Sequence, residues 1–139
     1  MTPLRASAVL IVDDDADHAW IVRVMLRTMC PNLPVEVCGD LGVLDLATAA
    51  LPGGSLVLMD RMIRGAETFD RVVDLHARRP DLAIVMMSAM FTSVDRAYAI
   101  ACGAREAMEK PSGLDGWRAA LRAIVETPDA APLRIERAA

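Results

Sequence analysis

The chain has 139 residues and a formal net charge of −4, and 54% of its residues are hydrophobic while only 4% are aromatic. This length suits a single domain with one hydrophobic core, which must be built mainly from aliphatic side chains and methionine. The acidic balance and the lack of a cluster of Lys and Arg argue against direct nucleic-acid binding, because phosphate backbones are bound by concentrated positive charge.

The cysteines and the apolar stretches bear on where the protein works. Cys30, Cys38 and Cys102 have no metal-type spacing, and an odd number of cysteines gives no complete disulfide framework. The longest apolar stretch, residues 82–91, is too short to cross a bilayer, and residues 8–12 are too short for the apolar part of a signal peptide. We therefore expect a cytoplasmic protein that does not use a membrane as a partner.

Along the chain, short apolar runs typical of buried strands alternate with longer segments of helical period. In chain order, the pattern predicts strand 8–12, helix Ala16–Met29, strand Val35–Cys38, helix 41–51, strand 55–59, helix 69–77, strand 82–87, helix 94–102, strand 104–109 and helix Leu114–Glu126. Five strands that alternate with five helices predict an α/β domain at residues 7–126, with a parallel sheet covered on both faces. Residues 127–139 are predicted to form a flexible tail.

The first predicted helix carries an unusually broad apolar stripe. Trp20, Val24 and Met29 recur at helical spacing, and Ile21 and Met25 widen the stripe. We expect this stripe to be the buried face of the helix, and we expect Trp20 to fill space in the core or in an interface. Trp117, on the last predicted helix, is expected to do the same.

Polar side chains stand where the predicted strands end. Asp13 and Asp14 follow the first strand, Asp60 the third, Ser88 the fourth and Lys110 the fifth. In such sheets ligands bind at the carboxyl ends of the strands, where the strand order reverses, so we expect these side chains to lie together. Three carboxylates repel one another unless a cation binds them, and a hard dication such as Mg²⁺ prefers oxygen ligands. The hydroxyl of Ser88 and the ammonium group of Lys110 could bind the oxygens of a phosphoryl group carried by a carboxylate.

Other polar residues have simpler interpretations. An aspartate after a strand is often the cap of the next helix, and we assign that role to Asp15 or Asp17. His18 and His76 have no partner at metal-ligand spacing, so we expect them to pack at or near helix surfaces.

Four segments of the chain resemble the receiver domain family of two-component response regulators, whose members are CheY-like. The segments are residues 9–15 with the sequence VLIVDDD, residues 56–60 with LVLMD, residues 87–89 with MSA, and Lys110-Pro111. The resemblance covers roughly residues 7–126. It implies a flavodoxin-like fold with five parallel strands in the order 2-1-3-4-5 and helices on both faces.

The resemblance also implies a chemistry for the acidic residues. Asp60 would accept a phosphoryl group from a histidine kinase or a phosphotransfer protein, with Mg²⁺ as the cofactor. The ion would be bound by Asp60, by Asp14 directly, by Asp13 through water and by the backbone carbonyl of Met62. The chain would have no enzymatic activity beyond Mg²⁺-assisted self-phosphorylation and self-dephosphorylation.

The remaining implications concern the phosphoryl group and the output. Ser88 would hydrogen-bond the phosphoryl group, Lys110 would pair with it, and the peptide bond before Pro111 would be cis. Phosphorylation would repack the face formed by the fourth helix, fifth strand and fifth helix, and would thereby switch binding to a downstream protein target. A homodimer is left open, and neither nucleic acid nor membrane is a direct partner.

Two positions depart from the family pattern. Ala107 stands where the family usually has a Tyr or Phe that relays the switch, and Arg64 stands where a proline is common. Both departures concern the output mechanism more than the phosphorylation chemistry. They support an alternative function, a receiver-fold protein-binding module that signals without phosphate, but the retention of all five chemical positions at the strand ends counts against it. A Mg²⁺-dependent phosphatase of the aspartyl-phosphate type is a further alternative, but Met62 stands where that class places its second acid, and the chain has no room for its cap domain.

Overall fold

The computed structural model of the protein describes residues 5–126 and residue 128. Its strands are β1 Val9–Val12, β2 Val35–Cys38, β3 Leu56–Asp60, β4 Met62–Ile63, β5 Ala66–Glu67, β6 Ala83–Ser88 and β7 Glu106–Glu109. Its helices are α1 Ala16–Met29, α2 Leu44–Ala49, α3 Phe69–Arg78, α4 Ser93–Cys102 and α5 Leu114–Glu126, and a 3-10 turn at Leu41–Val43 precedes α2. The flexible tail predicted for residues 127–139 lies outside the described residues, apart from residue 128.

Five of the strands form one parallel sheet in the order β2-β1-β3-β6-β7. β3 lies at the centre and pairs with β1 on one side and with β6 on the other. Counted within this sheet, the order is 2-1-3-4-5, so the predicted flavodoxin-like fold is confirmed. The order reverses between β1 and β3, and the carboxyl ends of these two strands form the crevice where this fold class binds its ligands. Among residues 5–126 and 128, no helix combines the length and the apolar character that a membrane crossing requires.

The sheet divides the hydrophobic core into two layers because its strands are buried on both faces. Along β3, Leu56 and Leu58 pack in the layer with α1 and α5, whereas Val57 and Met59 pack in the layer with α2, α3 and α4. Successive residues of a strand point to opposite faces, so this alternation continues to the end of β3. Asp60 therefore belongs to the α1–α5 side and the next residue, Arg61, to the α2–α4 side.

The segment after β3 forms a small hairpin that the sequence did not predict. β4 and β5 pair antiparallel, and the two residues between them, Arg64 and Gly65, have φ values of 51° and 79°. Positive φ at both central residues is characteristic of a two-residue type I′ hairpin turn. Proline cannot replace Arg64 in this turn, because its ring fixes φ near −65°. The positive φ of Arg64 therefore leaves no place for a proline at this position.

The buried face of α1 differs from the predicted stripe. Trp20 is 64% exposed, and Ile21 and Val24 are exposed as well. The residues that α1 buries are Ala19, Val22, Met25 and Leu26. The helix is apolar around most of its circumference, so the spacing of the large side chains did not identify the face that packs on the sheet. Trp117 on α5 is 9% exposed and lies in the core, as expected.

Candidate functional site

Three carboxylates meet at the carboxyl ends of β1 and β3. Asp13 and Asp14 follow β1 directly, and Asp60 is the last residue of β3. One oxygen from each of the three side chains lies within 4.8 Å of the others. Because all the donors are carboxylate oxygens, the set fits a hard dication such as Mg²⁺ or Ca²⁺ and not a softer metal.

Asp13 is the buried member of this group, with 3% exposure. One of its oxygens accepts the Asp15 amide at 2.9 Å, and the other lies 2.6 Å from Nδ1 of His18. Because an ionised carboxylate can only accept, Nδ1 of the histidine is the donor in this contact when Asp13 is ionised. The histidine ring packs against Trp117 at a centroid distance of 5.2 Å. Asp13 is thus fixed in position from the first turn of α1 and, through the two rings, from α5.

His18 contacts Asp13 of the acidic site, and the sequence did not predict this contact. It was expected only to pack, and it does pack, but it also orients Asp13. Its Nε2 atom is buried and has no hydrogen-bond partner among the described residues, so the contact through Nδ1 sets the ring orientation. The signal that could have found it is positional: α1 begins at the end of β1, so the first turn of this helix adjoins the strand-end acids. Asp15 caps the same helix, as predicted, by accepting the His18 amide.

Asp14 is exposed and is tied to the hairpin. Its Oδ2 accepts the backbone N–H of Arg64 at 2.8 Å. This bond joins two loops that are far apart in the sequence, the one after β1 and the one after β3. The hairpin turn therefore restrains the most solvent-accessible acid of the site.

Asp60 lies between an acid and a base. Its side chain is 14% exposed, and its Oδ1 is 3.3 Å from Nζ of Lys110. Burial raises the pKa of Asp60, Lys110 opposes this effect, and the negative charge of Asp13 adds to it. The ionised form of Asp60 is therefore short of compensating positive charge, which a bound dication would supply.

Ser88 and Lys110 reach the same edge of the sheet from β6 and β7. Ser88 ends β6, and its carbonyl oxygen accepts the Lys110 amide at 2.7 Å. Its hydroxyl oxygen accepts the Met90 amide at 3.4 Å. The expected cis bond before Pro111 is not found, since the described residues contain no cis peptide bond. All five chemical positions predicted at the strand ends thus lie along this edge, while the proposed role of the Met62 carbonyl stays a prediction.

The position of the missing aromatic residue is part of the core. Ala107 is 2% exposed and lies in the middle of β7. Beside it is a cavity of about 770 Å³ whose lining includes Phe91, Arg96 and Ile124. The space that a large ring would need is therefore open on the face between α4 and α5.

Comparisons with known proteins find response regulators and their receiver domains. No family model matches the sequence. The curated sensory transduction protein RegX3 of Mycolicibacterium smegmatis is 29% identical over 119 residues, which cover 86% of this chain and 50% of that protein. The chain thus spans about half the length of this relative.

Several solved structures share the fold. The signal receiver domain of a DNA-binding response regulator from Colwellia psychrerythraea 34H has a TM-score of 0.73 at 20% identity, over 86% of this chain and 98% of that one. A CheY-like receiver domain protein from Methanospirillum hungatei JF-1 has a TM-score of 0.72 at 23% identity, over 89% and 94%. A response regulator from Burkholderia pseudomallei with a phosphorylated aspartic acid and a calcium ion has a TM-score of 0.73 at 16% identity, over 87% and 67%. The chain thus has the fold of CheY-like receiver domains, and its sequence is similar to that of a curated response regulator.

Proposed function

We propose that this domain is a phosphoacceptor switch that takes a phosphoryl group from a histidine kinase onto Asp60 with the help of Mg²⁺. One observation carries the proposal: the carboxylates of Asp13, Asp14 and Asp60 meet within 4.8 Å, and Lys110 Nζ lies 3.3 Å from Asp60. Three acids and a lysine in this arrangement have little structural purpose, since the acids repel one another in the folded protein. They match the needs of a carboxylate that must carry a phosphoryl group beside a dication.

Asp60 is the nucleophile in this proposal. Its carboxylate oxygen attacks the phosphorus of a phosphohistidine, the P–O bond forms, the P–N bond breaks, and the imidazole keeps the electron pair. Asp13, Asp14 and Asp60 would bind Mg²⁺, with the Met62 carbonyl as a further ligand. When bound, the dication neutralises the carboxylates and the phosphoryl oxygens as they approach.

Lys110 and Ser88 act on the phosphoryl group after transfer. Lys110 already contacts Asp60 and would follow the charge onto the new phosphoryl oxygens, where a positive charge is a strong hydrogen-bond partner. Ser88 would donate its hydroxyl, which among the described residues accepts the long bond from the Met90 amide. A shift of Ser88 would move the loop that leads into α4. The change would then alter binding to a downstream protein target.

The test is phosphorylation by acetyl phosphate, read by intact mass. Wild type should gain one phosphoryl group with Mg²⁺ and little without it. Asp60→Asn should gain none. Asp70→Asn is the matched control, because Asp70 is an exposed aspartate in the first turn of α3 and should not affect the yield. An Asp60→Asn protein that is still phosphorylated in full would contradict the assignment.

The alternative is a receiver-fold module that binds its partner without phosphate. It is favoured by the buried Ala107 and by Arg64, which stands where the receiver family often has a proline. The same assay separates the two functions. Wild-type protein that stays unmodified with Mg²⁺ and excess donor would favour the phosphate-independent module.

A further inference from the structure

Arg61 follows Asp60 in the chain but lies on the other side of the sheet. Asp60 faces the α1–α5 layer, whereas Arg61 faces the α2–α4 layer, because neighbouring residues of an extended chain point in opposite directions. The backbone amide of Arg61 continues the pairing with β6 by donating to the Met87 carbonyl at 2.8 Å. Any displacement of the chain at Asp60 therefore reaches Arg61 through one peptide unit. The Arg61 side chain is 17% exposed, so most of it lies inside the protein.

The guanidinium of Arg61 joins two acids that belong to different segments. Nη2 lies 2.9 Å from Oε1 of Glu67, which ends the hairpin. Nη1 lies 3.2 Å from Oδ2 of Asp95, which belongs to the first turn of α4. The same group lies 5.2 Å from the ring of Phe69 and 5.3 Å from the ring of Phe91. Arginine suits such a position better than lysine, because its planar group can bind two carboxylates and stack on rings at the same time.

Asp95 also determines where α4 begins. Thr92 Oγ1 accepts the Asp95 amide at 3.0 Å, and Asp95 Oδ2 accepts the Thr92 amide at 3.2 Å. This reciprocal pair is a capping box, which fixes the first turn of a helix. The oxygen that completes the box is the one that Arg61 contacts. The start of α4 is thus bound directly to the residue next to the phosphoacceptor.

We propose that Arg61 is a positioning residue that couples the phosphoacceptor loop, residues 60–67, to the first turn of α4. The inference rests on the proposed function in that phosphorylation of Asp60 is the signal, whereas the coupling itself follows from the contacts of Arg61. A change at Asp60 or in the hairpin shifts the guanidinium, and the guanidinium shifts or releases Asp95. The capping box then tightens or loosens. This route to α4 needs no aromatic side chain at Ala107.

The experiment measures hydrogen exchange of the amides of residues 93–96 before and after phosphorylation with acetyl phosphate and Mg²⁺. In wild type the exchange rates should change by about threefold or more, as expected when a partly buried ion pair forms or breaks. Arg61→Met keeps an apolar side chain between the two rings but removes both ion pairs, so it should be phosphorylated normally without this change. Arg61→Lys should restore part of the response because an ammonium group can reach one of the acids. Arg71→Met, at an exposed arginine of α3, is the matched control.

A second measurement does not depend on phosphorylation. Glu67→Gln weakens the hairpin contact of Arg61 and should raise exchange at residues 93–96 in otherwise wild-type protein. The same substitution should have no effect there in the Arg61→Met background, because the connection is already broken. Equal effects of Glu67→Gln in both backgrounds, or a full phosphorylation response in Arg61→Met, would overturn the coupling. A wild-type protein that takes no phosphoryl group would refute the proposed function, while the Glu67 comparison would still decide the coupling.

Discussion

Arg64→Pro tests whether the hairpin restrains the acidic site. The substitution introduces the residue that is common at this position in the family, yet we expect it to harm this protein. Arg64 has a φ of 51°, which proline cannot adopt, and its N–H donates to Asp14 at 2.8 Å, which proline cannot do. A hydrogen bond to a charged group contributes about 1.5–3 kcal/mol. The broken turn adds to this loss, whereas local opening of the hairpin limits it. We therefore expect the free energy of unfolding to fall by about 2–4 kcal/mol.

Thermal and urea unfolding measure this loss. For a domain of this size the melting temperature should drop by roughly 6–12 °C. Mg²⁺ affinity, measured by calorimetry, should fall by about tenfold, since a hydrogen bond that orients a ligand typically matters by this much. Arg64→Gly is the control, because glycine keeps the N–H and accepts positive φ, so both quantities should stay near wild type. An Arg64→Pro protein that melts with wild type and binds Mg²⁺ equally well would refute the reasoning.

Three further predictions concern the charges and the access route at Asp60. Lys110→Ala removes a positive charge 3.3 Å from Asp60, so the Mg²⁺ affinity measured by calorimetry should be unchanged or higher. The change in amide hydrogen exchange that follows phosphorylation should become weaker in this variant. Clearly poorer Mg²⁺ binding would contradict the prediction. Burial, together with Asp13, raises the pKa of Asp60, so the protonated form stabilises the fold at low pH and this stability is lost as the pH rises through the raised pKa. Asp60→Asn should therefore unfold at higher urea than wild type at neutral pH without Mg²⁺, and this gain should shrink on acidification; a constant gain would argue against the shifted pKa. The Met62 and Met90 side chains are 43% and 68% exposed, and as thioethers they cannot orient an attacking water, so we expect self-dephosphorylation to take many minutes. The double substitution Met62→Asn with Met90→Glu should accelerate this decay by about tenfold, as followed by mass after the donor is removed. A double variant that decays no faster than wild type would contradict this.

The fold and the acidic site could be predicted because parallel strands leave a plain signal. Burial on both faces makes β1, β3 and β6 nearly continuous apolar runs, and these runs lead directly to the polar residues Asp13, Asp60 and Ser88. Asp13, Asp60 and Lys110 were therefore located from the sequence alone. Their convergence required no knowledge of side-chain packing, only of which strand ends share an edge.

The features that were missed depend on packing between distant segments. The strands of the hairpin have two residues each, too few for any periodicity. Arg61 meets Asp95 across 34 positions of sequence, and nothing near either residue indicates the other. The buried face of α1 was misassigned because the spacing of Trp20 and the other large side chains defined the predicted stripe, whereas the helix buries Ala19 and Val22 together with Met25 and Leu26. Each of these features depends on tertiary contacts that the local sequence does not determine.

The two tryptophans occupy opposite environments, and this makes the protein's own fluorescence informative. Trp117 is enclosed beside His18, whose ring contacts Asp13, whereas Trp20 stands in solvent on α1. A soluble quencher such as acrylamide therefore reaches one indole and not the other. The emission that survives quenching comes from the ring that is linked to the acidic site. Ion binding at the three carboxylates can thus be followed without a label, as a change confined to the quencher-resistant part of the spectrum.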